Sequence, residues 1–389
     1  MRIGSGLFLL SIALSPVDAQ SCLSNPSRLS RNGDHHHSIR SDDGRRSVSV
    51  RWRRGDCEIR LDARGDFRVR SDLAGFVGIE DGGWVEIEEN DGNTERRVRV
   101  VGVGRDIEYR WSVDGRNGFD LNRERWVADI LLALERRTAM FARQRVPELV
   151  LVGGAAAVLA ETDLMPSDHA RRIYYSNLLN LVRVDDAGIE RMLRQTELMS
   201  SDYERAEVLR LLSARQGPLN DRVARAMIAV AQRMSSDYEK RRALSAGLES
   251  VSTVEARMAL FTAAGTMSSN YELAEFLIAA QRRNLVDSTS SDAYFRAIGR
   301  LSSDYERRRT LSALMKLRPG SPAVLVGVLR SSESISSDHE LATLLVEFAR
   351  TVPVRGELRE QYLKATRTLS SDHEYRRALQ ALLEQDQRS

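Results

Sequence analysis

The chain has 389 residues, of which 42% are hydrophobic and 29% are charged, and its formal net charge is +3. This balance is typical of a globular protein long enough for two or more domains, and it excludes a chain that is disordered throughout. The small net charge argues against binding of nucleic acid through the overall charge of the protein.

Residues 1–19 are predicted to be a signal peptide. Arg2 gives a positively charged start, residues 7–14 form a short apolar core, and Val17-Asp18-Ala19 has the small residues of a cleavage site. The apolar run is far shorter than the roughly 20 residues that a membrane span needs. We therefore expect an exported protein, periplasmic or secreted, with no membrane span in the mature chain.

Cys22 and Cys57 are the only cysteines. In an oxidising compartment an even pair predicts a disulfide, which here would tie the mature N-terminus to the first domain. Two free thiols are the alternative, as is lipidation of Cys22 behind the poor lipobox Ala19-Gln20-Ser21.

Residues 20–45 are polar and have no apolar period, which predicts a flexible leader. His35-His36-His37 lies within it, and imidazole suits zinc, copper and nickel. Three adjacent histidines cannot converge on one ion without partners, so we interpret the tract as a solvated linker and predict no metal site.

Residues 46–115 have a period of two, which predicts an antiparallel β domain with one buried and one solvent-exposed face. Charges of both signs lie on the predicted solvent face and favour cross-strand ion pairs, with a charged ligand face as the alternative. These charged residues are Arg51, Arg53, Arg68, Arg70, Glu86, Glu88 and Glu89. Gly102-Val103-Gly104 is no phosphate loop, because another strand follows it instead of a helix.

A connecting helix is predicted within residues 120–150, capped by Asp120 or Asn122 and running from about Arg123 to Arg143. Its apolar face would carry Trp126, Ile130, Leu131 and Leu134.

The sequence Ser-Ser-Asp-Tyr-Glu at residues 200–204 recurs along the rest of the chain. Its acidic position falls at Asp168, Asp202, Asp237, Asn270, Asp304, Asp338 and Asp372, with spacings of 34, 35, 33, 34, 34 and 34 residues. A period this regular indicates a repeat array.

Each repeat contains a predicted capping box, in which an N-cap serine and a glutamate three residues later hydrogen-bond each other's backbone N–H. The pairs are Ser201 and Glu204, Ser236 and Glu239, Ser269 and Glu272, Ser303 and Glu306, Ser337 and Glu340, and Ser371 and Glu374. In the first repeat the third residue after Ser167 is Ala170 instead of a glutamate, which makes that repeat degenerate. An apolar stripe after each box, and a second apolar run before it, predict two helices of 12 to 16 residues per repeat.

Hairpins of this kind stack on one another, so residues 151–389 are predicted to form a HEAT-like α-solenoid of about seven 34-residue hairpins. The period equals that of tetratricopeptide repeats, but their sequence pattern is missing. The predicted fold class is thus α+β with two domains, a β-sheet domain followed by the solenoid.

Two columns of residues in the array are candidates for binding a ligand or partner. The aromatic column is His169, Tyr203, Tyr238, Tyr271, Tyr305, His339 and His373. Three residues further on in each repeat, Arg172, Arg241, Arg308 and Arg376 alternate with alanine, which indicates a doubled repeat of about 68 residues. Inter-repeat packing of the rings and ion pairing of the arginines are the favoured readings, and ligand binding is the alternative.

The repeat units Ser-Asp-Tyr-Glu-Lys-Arg-Arg-Ala-Leu and Ser-Asn-Tyr-Glu-Leu-Ala-Glu-Phe-Leu resemble repeats of bacterial extracytoplasmic proteins. They look like the C-terminal outer region of membrane metallopeptidases of the β-lactam-sensor type, over roughly residue 47 to the C-terminus. The peptidase part is absent, since the chain has neither that family's His-Glu-x-x-His helix nor its membrane spans. The resemblance therefore implies a sensory or interaction region without peptidase activity.

No catalytic residues are predicted, because the histidines of the array stand at helix starts and the carboxylates are accounted for by capping. We expect a non-catalytic exported scaffold that binds a protein or peptide in the cell envelope, without a cofactor. A ligand-sensing module for envelope carbohydrate or peptide is the alternative, and a hydrolase with its site in the β domain is a third.

Overall fold

The computed structural model describes residues 22, 34–42, 45–217 and 219–388. The predicted signal peptide and most of the predicted leader lie outside these residues. The chain divides into two compact units, residues 1–141 and residues 142–389, so the predicted α+β architecture of a sheet domain followed by paired helices is confirmed.

Among the described residues, the first unit contains a seven-stranded antiparallel sheet. In their spatial order, its strands are β1 (Asp34–Asp42), β2 (Arg45–Arg54), β3 (Cys57–Arg64), β6 (Trp84–Asn90), β7 (Glu95–Val103), β8 (Asp106–Val113) and β9 (Arg116–Asn117). The strands β4 (Phe67–Val69) and β5 (Phe76–Ile79) form a separate two-stranded sheet. Strand β1 pairs with β2 along its whole length, so the prediction of a flexible leader is wrong for residues 34–42.

Hairpin connections in the sheet follow the turn residues of the sequence. Gly55 adopts a φ of 56° between β2 and β3, and Gly104 a φ of 60° between β7 and β8. At Gly102 a Cβ atom would lie 2.3 Å from the carbonyl oxygen of Glu80. The two glycines that resemble a phosphate loop thus serve a close strand approach and a turn.

The core of this unit lies between one face of the sheet and helix α1 (Arg123–Thr138). Asn122 caps the helix by accepting the backbone N–H of Arg125 at 2.9 Å. The predicted apolar face, including Ile130 and Leu131, is fully buried against the sheet. The helix ends at Thr138 rather than near Arg143, and the Glu135 carboxylate accepts the N–H of Phe141 at the following turn. The helix predicted as a connector therefore belongs to the core of the β domain.

A disulfide joins Cys22 to Cys57, with 5.7 Å between their Cα atoms. The predicted disulfide is confirmed, and it places Cys22 in the buried core of the first unit.

Predicted cross-strand ion pairs occur on the solvent face of this sheet. Arg97 contacts Glu88 at 3.1 Å and Arg99 contacts Glu86 at 3.2 Å, each pair directly opposite in the register of β6 and β7. Exposed pairs of this type contribute little to stability individually.

Glu89 does not belong to the solvent face, because it is fully buried. One carboxylate oxygen accepts the N–H of Cys22 at 2.7 Å and the other accepts the indole N–H of Trp126 at 2.8 Å. Arg96, also buried, lies 3.6 Å from Glu89 and pairs with Asp91 at 2.9 Å and, on the loop before α1, with Asp120 at 3.1 Å. The guanidinium of Arg96 thus neutralises the carboxylates that connect the β6–β7 hairpin with helix α1 and with Cys22.

Within the described residues the second unit contains fourteen helices, α2 to α15. They are α2 (Ala142–Asp163), α3 (Asp168–Leu181), α4 (Asp186–Glu197), α5 (Asp202–Arg215), α6 (Asp221–Gln232), α7 (Asp237–Ala246), α8 (Val254–Ala264), α9 (Asn270–Arg282), α10 (Ser291–Ile298), α11 (Asp304–Lys316), α12 (Pro322–Ser332), α13 (Asp338–Thr351), α14 (Glu357–Thr366) and α15 (Asp372–Arg388). Gly153 and Gly154 interrupt α2 with non-helical backbone, and a 3-10 turn follows α7.

These helices form seven consecutive hairpins, α2–α3 to α14–α15, arranged in two layers. Each odd-numbered helix packs against the next odd-numbered helix, and each even-numbered helix packs against the next even-numbered one. This is the predicted solenoid of seven hairpins. The array already begins at Ala142, and helix lengths vary more than predicted, since α10 has only 8 residues.

Replacing Arg96 with methionine should lower the free energy of unfolding of the first unit by about 3–5 kcal/mol, because three carboxylates lose their common counter-charge in a buried site. Urea denaturation monitored by tryptophan fluorescence would measure this loss. The matched control Arg99→Met removes an exposed cross-strand pair and should cost less than about 1 kcal/mol. Equal losses in the two variants would contradict the role given to Arg96.

Candidate functional site

The repeated Ser-Ser-Asp-Tyr-Glu sequence lies at the start of each odd-numbered helix of the array. As predicted, the N-cap serine accepts the backbone N–H of the residue three positions later, at 3.2–3.4 Å in all seven repeats. The N-cap serines are Ser167, Ser201, Ser236, Ser269, Ser303, Ser337 and Ser371.

The prediction that the glutamate of each box accepts the backbone N–H of the N-cap serine is wrong. The serine N–H donates to the acidic residue of the preceding repeat instead of to the glutamate of its own box. Asp237, for example, accepts the N–H groups of Ser268 and Ser269 at 2.8 and 2.7 Å and the Ser268 hydroxyl at 2.8 Å. We call this contact the carboxylate clamp.

The clamp recurs at all six junctions between repeats, with acceptors Asp168, Asp202, Asp237, Asn270, Asp304 and Asp338. At Asn270 the side-chain amide oxygen accepts in the same way, and its NH₂ group donates to the Ser302 hydroxyl. The contact therefore depends on an acceptor oxygen at this position, which a carboxylate or an amide supplies equally.

Because the serine N–H is already satisfied, the glutamate of each box pairs with arginine, and it does so in two alternating ways. In the first kind of junction the arginine of the preceding repeat donates to it, as between Arg172 and Glu204, Arg241 and Glu272, and Arg308 and Glu340. These three arginines are thus bound in inter-repeat ion pairs.

In the second kind of junction the bridging arginine belongs to the following repeat. It stands five positions after the acidic residue of that repeat and contacts two glutamates. Arg242 contacts Glu239 of its own box at 2.7 Å and Glu207 of the preceding repeat at 2.6 Å. Arg309 repeats this bridge with Glu306 and Glu275. The alternation of arginine and alanine in the sequence therefore corresponds to two alternating junctions.

These contacts lower the pKa of Glu204 and of Asp237. Burial by itself raises the pKa of Glu204, but hydrogen bonds from His169 and Arg172 offset it and bring the pKa below its usual range. At Asp237 burial likewise raises the pKa, and hydrogen bonds from Ser269 and Ser268 lower it further than burial raises it.

The aromatic column is exposed, contrary to the favoured expectation that its rings pack between repeats. Tyr203, Tyr238, Tyr271 and Tyr305 are between 51% and 57% exposed. Arginines of the junctions lie against the rings. The guanidinium of Arg242 is 5.9 Å from the Tyr203 ring and 5.7 Å from the Tyr238 ring, and so lies between two successive repeats.

The same arrangement continues further along the array. Arg309 lies 5.9 Å from the Tyr271 ring, and Arg308 lies 5.2 Å from the Tyr305 ring. His339 continues the column and contacts Glu374 at 3.5 Å, and His373 is exposed. We call this column of exposed rings and intervening guanidinium groups the tyrosine ridge.

A cleft of about 340 Å³ adjoins the ridge between α9 and α11. Arg308 and Arg309 belong both to the ridge and to the wall of the cleft. Gln281 and Ser312, which line the cleft, are 2% and 3% exposed. The Oε1 atom of Gln281 and the Oγ atom of Ser312 have no hydrogen-bond partner among the described residues.

Sequence reasoning did not find this cleft. Gln281 occupies a position that is apolar in most other repeats, such as Leu179, Leu248 and Met315. A buried glutamine at an apolar repeat position is the signal that could have indicated it. Arg282 and Lys316 stand at its rim as exposed cations.

The described residues hold no group of three or more histidine, cysteine or carboxylate side chains that could bind a metal ion. In the same part of the chain no helix is long and apolar enough to cross a membrane.

Comparison with protein-family models, with curated proteins and with solved structures finds no match to this chain. The ridge and the cleft are therefore interpreted from their own geometry.

Replacing Asp237 with alanine should lower the free energy of unfolding by about 2 kcal/mol, because two backbone N–H groups lose their acceptor. Asp237→Asn retains an acceptor oxygen, as Asn270 does naturally, and should cost less than about 1 kcal/mol at neutral pH. Urea denaturation followed by circular dichroism compares the two. If both variants were equally destabilised, charge rather than hydrogen bonding would hold the junction.

The lowered pKa of Asp237 also predicts how stability depends on pH. A carboxyl group with a lower pKa in the folded than in the unfolded state stabilises the fold above its unfolded pKa of about 3.9, and this contribution is lost as the pH falls through the folded pKa. The unfolding free energy of the wild type should therefore fall on acidification below about pH 5.

The Asp237→Asn variant lacks this titration, so its stability should change less over the same pH range. Denaturation curves of both proteins at neutral pH and at successive acidic values test this. A constant difference between the two at every pH would contradict the assignment.

Proposed function

We propose that this protein is an exported, non-catalytic scaffold that binds a protein or peptide segment at the tyrosine ridge and the adjoining cleft. The observation that carries the proposal is the exposure of the rings. Serine, aspartate and glutamate of the repeat are used in caps, clamps and ion pairs, whereas the tyrosines remain half-exposed in regular array.

The chemistry of the ridge suits peptide side chains. Tyrosine and arginine are enriched at the energetically dominant positions of protein interfaces, because each combines a large contact area with polar groups. The arginines are already held by Glu207, Glu239 and their equivalents, so little side-chain freedom would be lost when a partner binds.

The cleft supplies groups that recognise a peptide backbone and an acidic side chain. The Oε1 atom of Gln281 can accept a peptide N–H, and Ser312 can donate to a carbonyl group. Arg282 and Lys316 have no carboxylate partner among the described residues, and their charge favours an acidic segment.

An extracytoplasmic location accords with this role. The disulfide between Cys22 and Cys57 is of the kind found in oxidising compartments such as the periplasm or the extracellular space. The partner would then be a protein or peptide of the cell envelope.

Fluorescence polarisation with labelled decapeptide pools of acidic, neutral and basic composition tests the proposal. The acidic pool should bind best, more weakly as salt is raised, and replacement of Gln281 with leucine should reduce its affinity. Binding of soluble cell-wall carbohydrate, without any peptide binding, would instead favour a carbohydrate-sensing module and overturn the proposal.

The double substitution Tyr238→Ala/Tyr305→Ala should reduce the affinity for the bound peptide at least about tenfold. The melting temperature should fall by less than about 4 °C, because the rings are half-exposed and mainly cation–π contacts are lost. Titration and thermal melting of the same preparation measure both quantities. Met258→Ala, which removes an exposed apolar side chain of α8, is the control and should leave the affinity unchanged. A large loss of melting temperature with unaltered binding would give the rings a structural role.

A further inference from the structure

Helix α15 carries the acidic residue and the arginine of a repeat junction, but no following repeat that would contact them occurs among the described residues. At the six internal junctions the acidic residue and, in the first kind of junction, the arginine four positions later contact the following repeat. In α15 these residues are Asp372 and Arg376. Both are exposed, and neither has a hydrogen bond or ion pair within the part of the chain that the structure describes.

The apolar residues of the same helix face are uncovered too. Leu383 stands eleven positions after Asp372 and is 58% exposed, whereas Met315 and Ala349 at the equivalent positions are buried. Tyr375, three positions after Asp372, is 38% exposed, while its equivalent Leu341 is buried. These positions lie within one stripe of an α-helix. We call Asp372, Tyr375, Arg376 and Leu383 the open junction face.

The internal junctions define what fits such a face. A first-kind junction receives two successive backbone N–H groups from the turn before a helix and a glutamate from the third residue of that helix. Since α15 has an arginine four positions after its acidic residue, it presents the first kind. The complementary element is thus a helix start with the pattern Ser-Ser-x-x-Glu.

A second copy of this chain does not supply that element at its own first repeat. There Pro166 replaces the first serine and has no N–H to donate, and Ala170 replaces the glutamate. Head-to-tail stacking of two arrays would therefore offer Asp372 only the N–H of Ser167 and would leave Arg376 without a glutamate.

We propose that the open junction face binds a helical hairpin of a partner protein whose second helix begins with the pattern Ser-Ser-x-x-Glu. Backbone N–H groups of the partner's turn donate to Asp372, its glutamate pairs with Arg376, and its apolar stripe covers Leu383. This site is separate from the tyrosine ridge and stands whether or not the ridge binds peptide.

The test uses the full chain and a fluorescein-labelled synthetic peptide with the sequence of residues 333–351, which contains Ser336, Ser337 and Glu340. Fluorescence anisotropy should show saturable binding. Arg376→Glu should weaken it about tenfold, and a peptide with glutamate 340 replaced by arginine should restore binding to that variant. Arg350→Glu, the same charge reversal at an exposed site of α13, is the matched control.

Two further variants separate the clamp from a general charge effect. Asp372→Asn should bind the peptide within about threefold of the wild type, because Asn270 accepts the same hydrogen bonds, whereas Asp372→Ala should weaken binding about fivefold or more. Absence of peptide binding, or equal binding by wild type and Arg376→Glu, would overturn the proposal. A concentration-dependent dimer in sedimentation that Arg376→Glu abolishes would show that a second copy occupies the face instead.

Discussion

The array depends on one interaction, the acceptance of two backbone N–H groups of each repeat by the acidic side chain of the repeat before it. A helix start leaves its first N–H groups without intrahelical partners. Here the serine hydroxyl satisfies one of them and the preceding repeat satisfies those of the turn, so a helix cap and a repeat interface are the same contact. This explains why the motif recurs every 34 residues or so with little change in length, since inserting a residue between clamp and turn would misplace both. Asn270 shows that the requirement is for an acceptor rather than for a charge.

The clamp also determines how the glutamates are used. Because the serine N–H donates to the preceding repeat, each glutamate is available to pair with arginine. At alternate junctions the arginine either contacts a glutamate of the following repeat, as Arg241 does, or contacts one of the preceding repeat, as Arg242 does. Each arrangement leaves its guanidinium against a tyrosine ring. The polar network therefore holds the arginines of the ridge in place, while the rings themselves remain accessible. In the proposed function, stability and recognition are thus divided between different residues of the same five-residue motif.

The two proposed binding surfaces differ in what they would recognise. The ridge and the cleft at Gln281 offer exposed rings, cations and buried polar atoms, which suits an extended acidic segment. The open junction face at Asp372 and Arg376 instead offers a half-completed repeat contact, which suits a folded helix start. Because the sites share no residue, substitutions at one should not alter binding at the other, and a scaffold of this form could hold two partners at once.

The order of sheet and helices, the seven repeats and the serine caps could all be predicted from the sequence, because these follow from local period and local hydrogen bonding. The alternation of the arginines could also be read directly from the repeat spacing. The acceptor of the serine N–H groups could not be predicted in this way, since the choice between Glu239 and the preceding Asp202 depends on how closely two repeats approach. Glu89, which the charge pattern predicts on the solvent face, is instead buried among Arg96 and Trp126, because it shares the inner face of strand β6 with Val85 and Ile87. Period assigns a residue to a face, but packing between elements that are distant in sequence decides which partner that residue finds there.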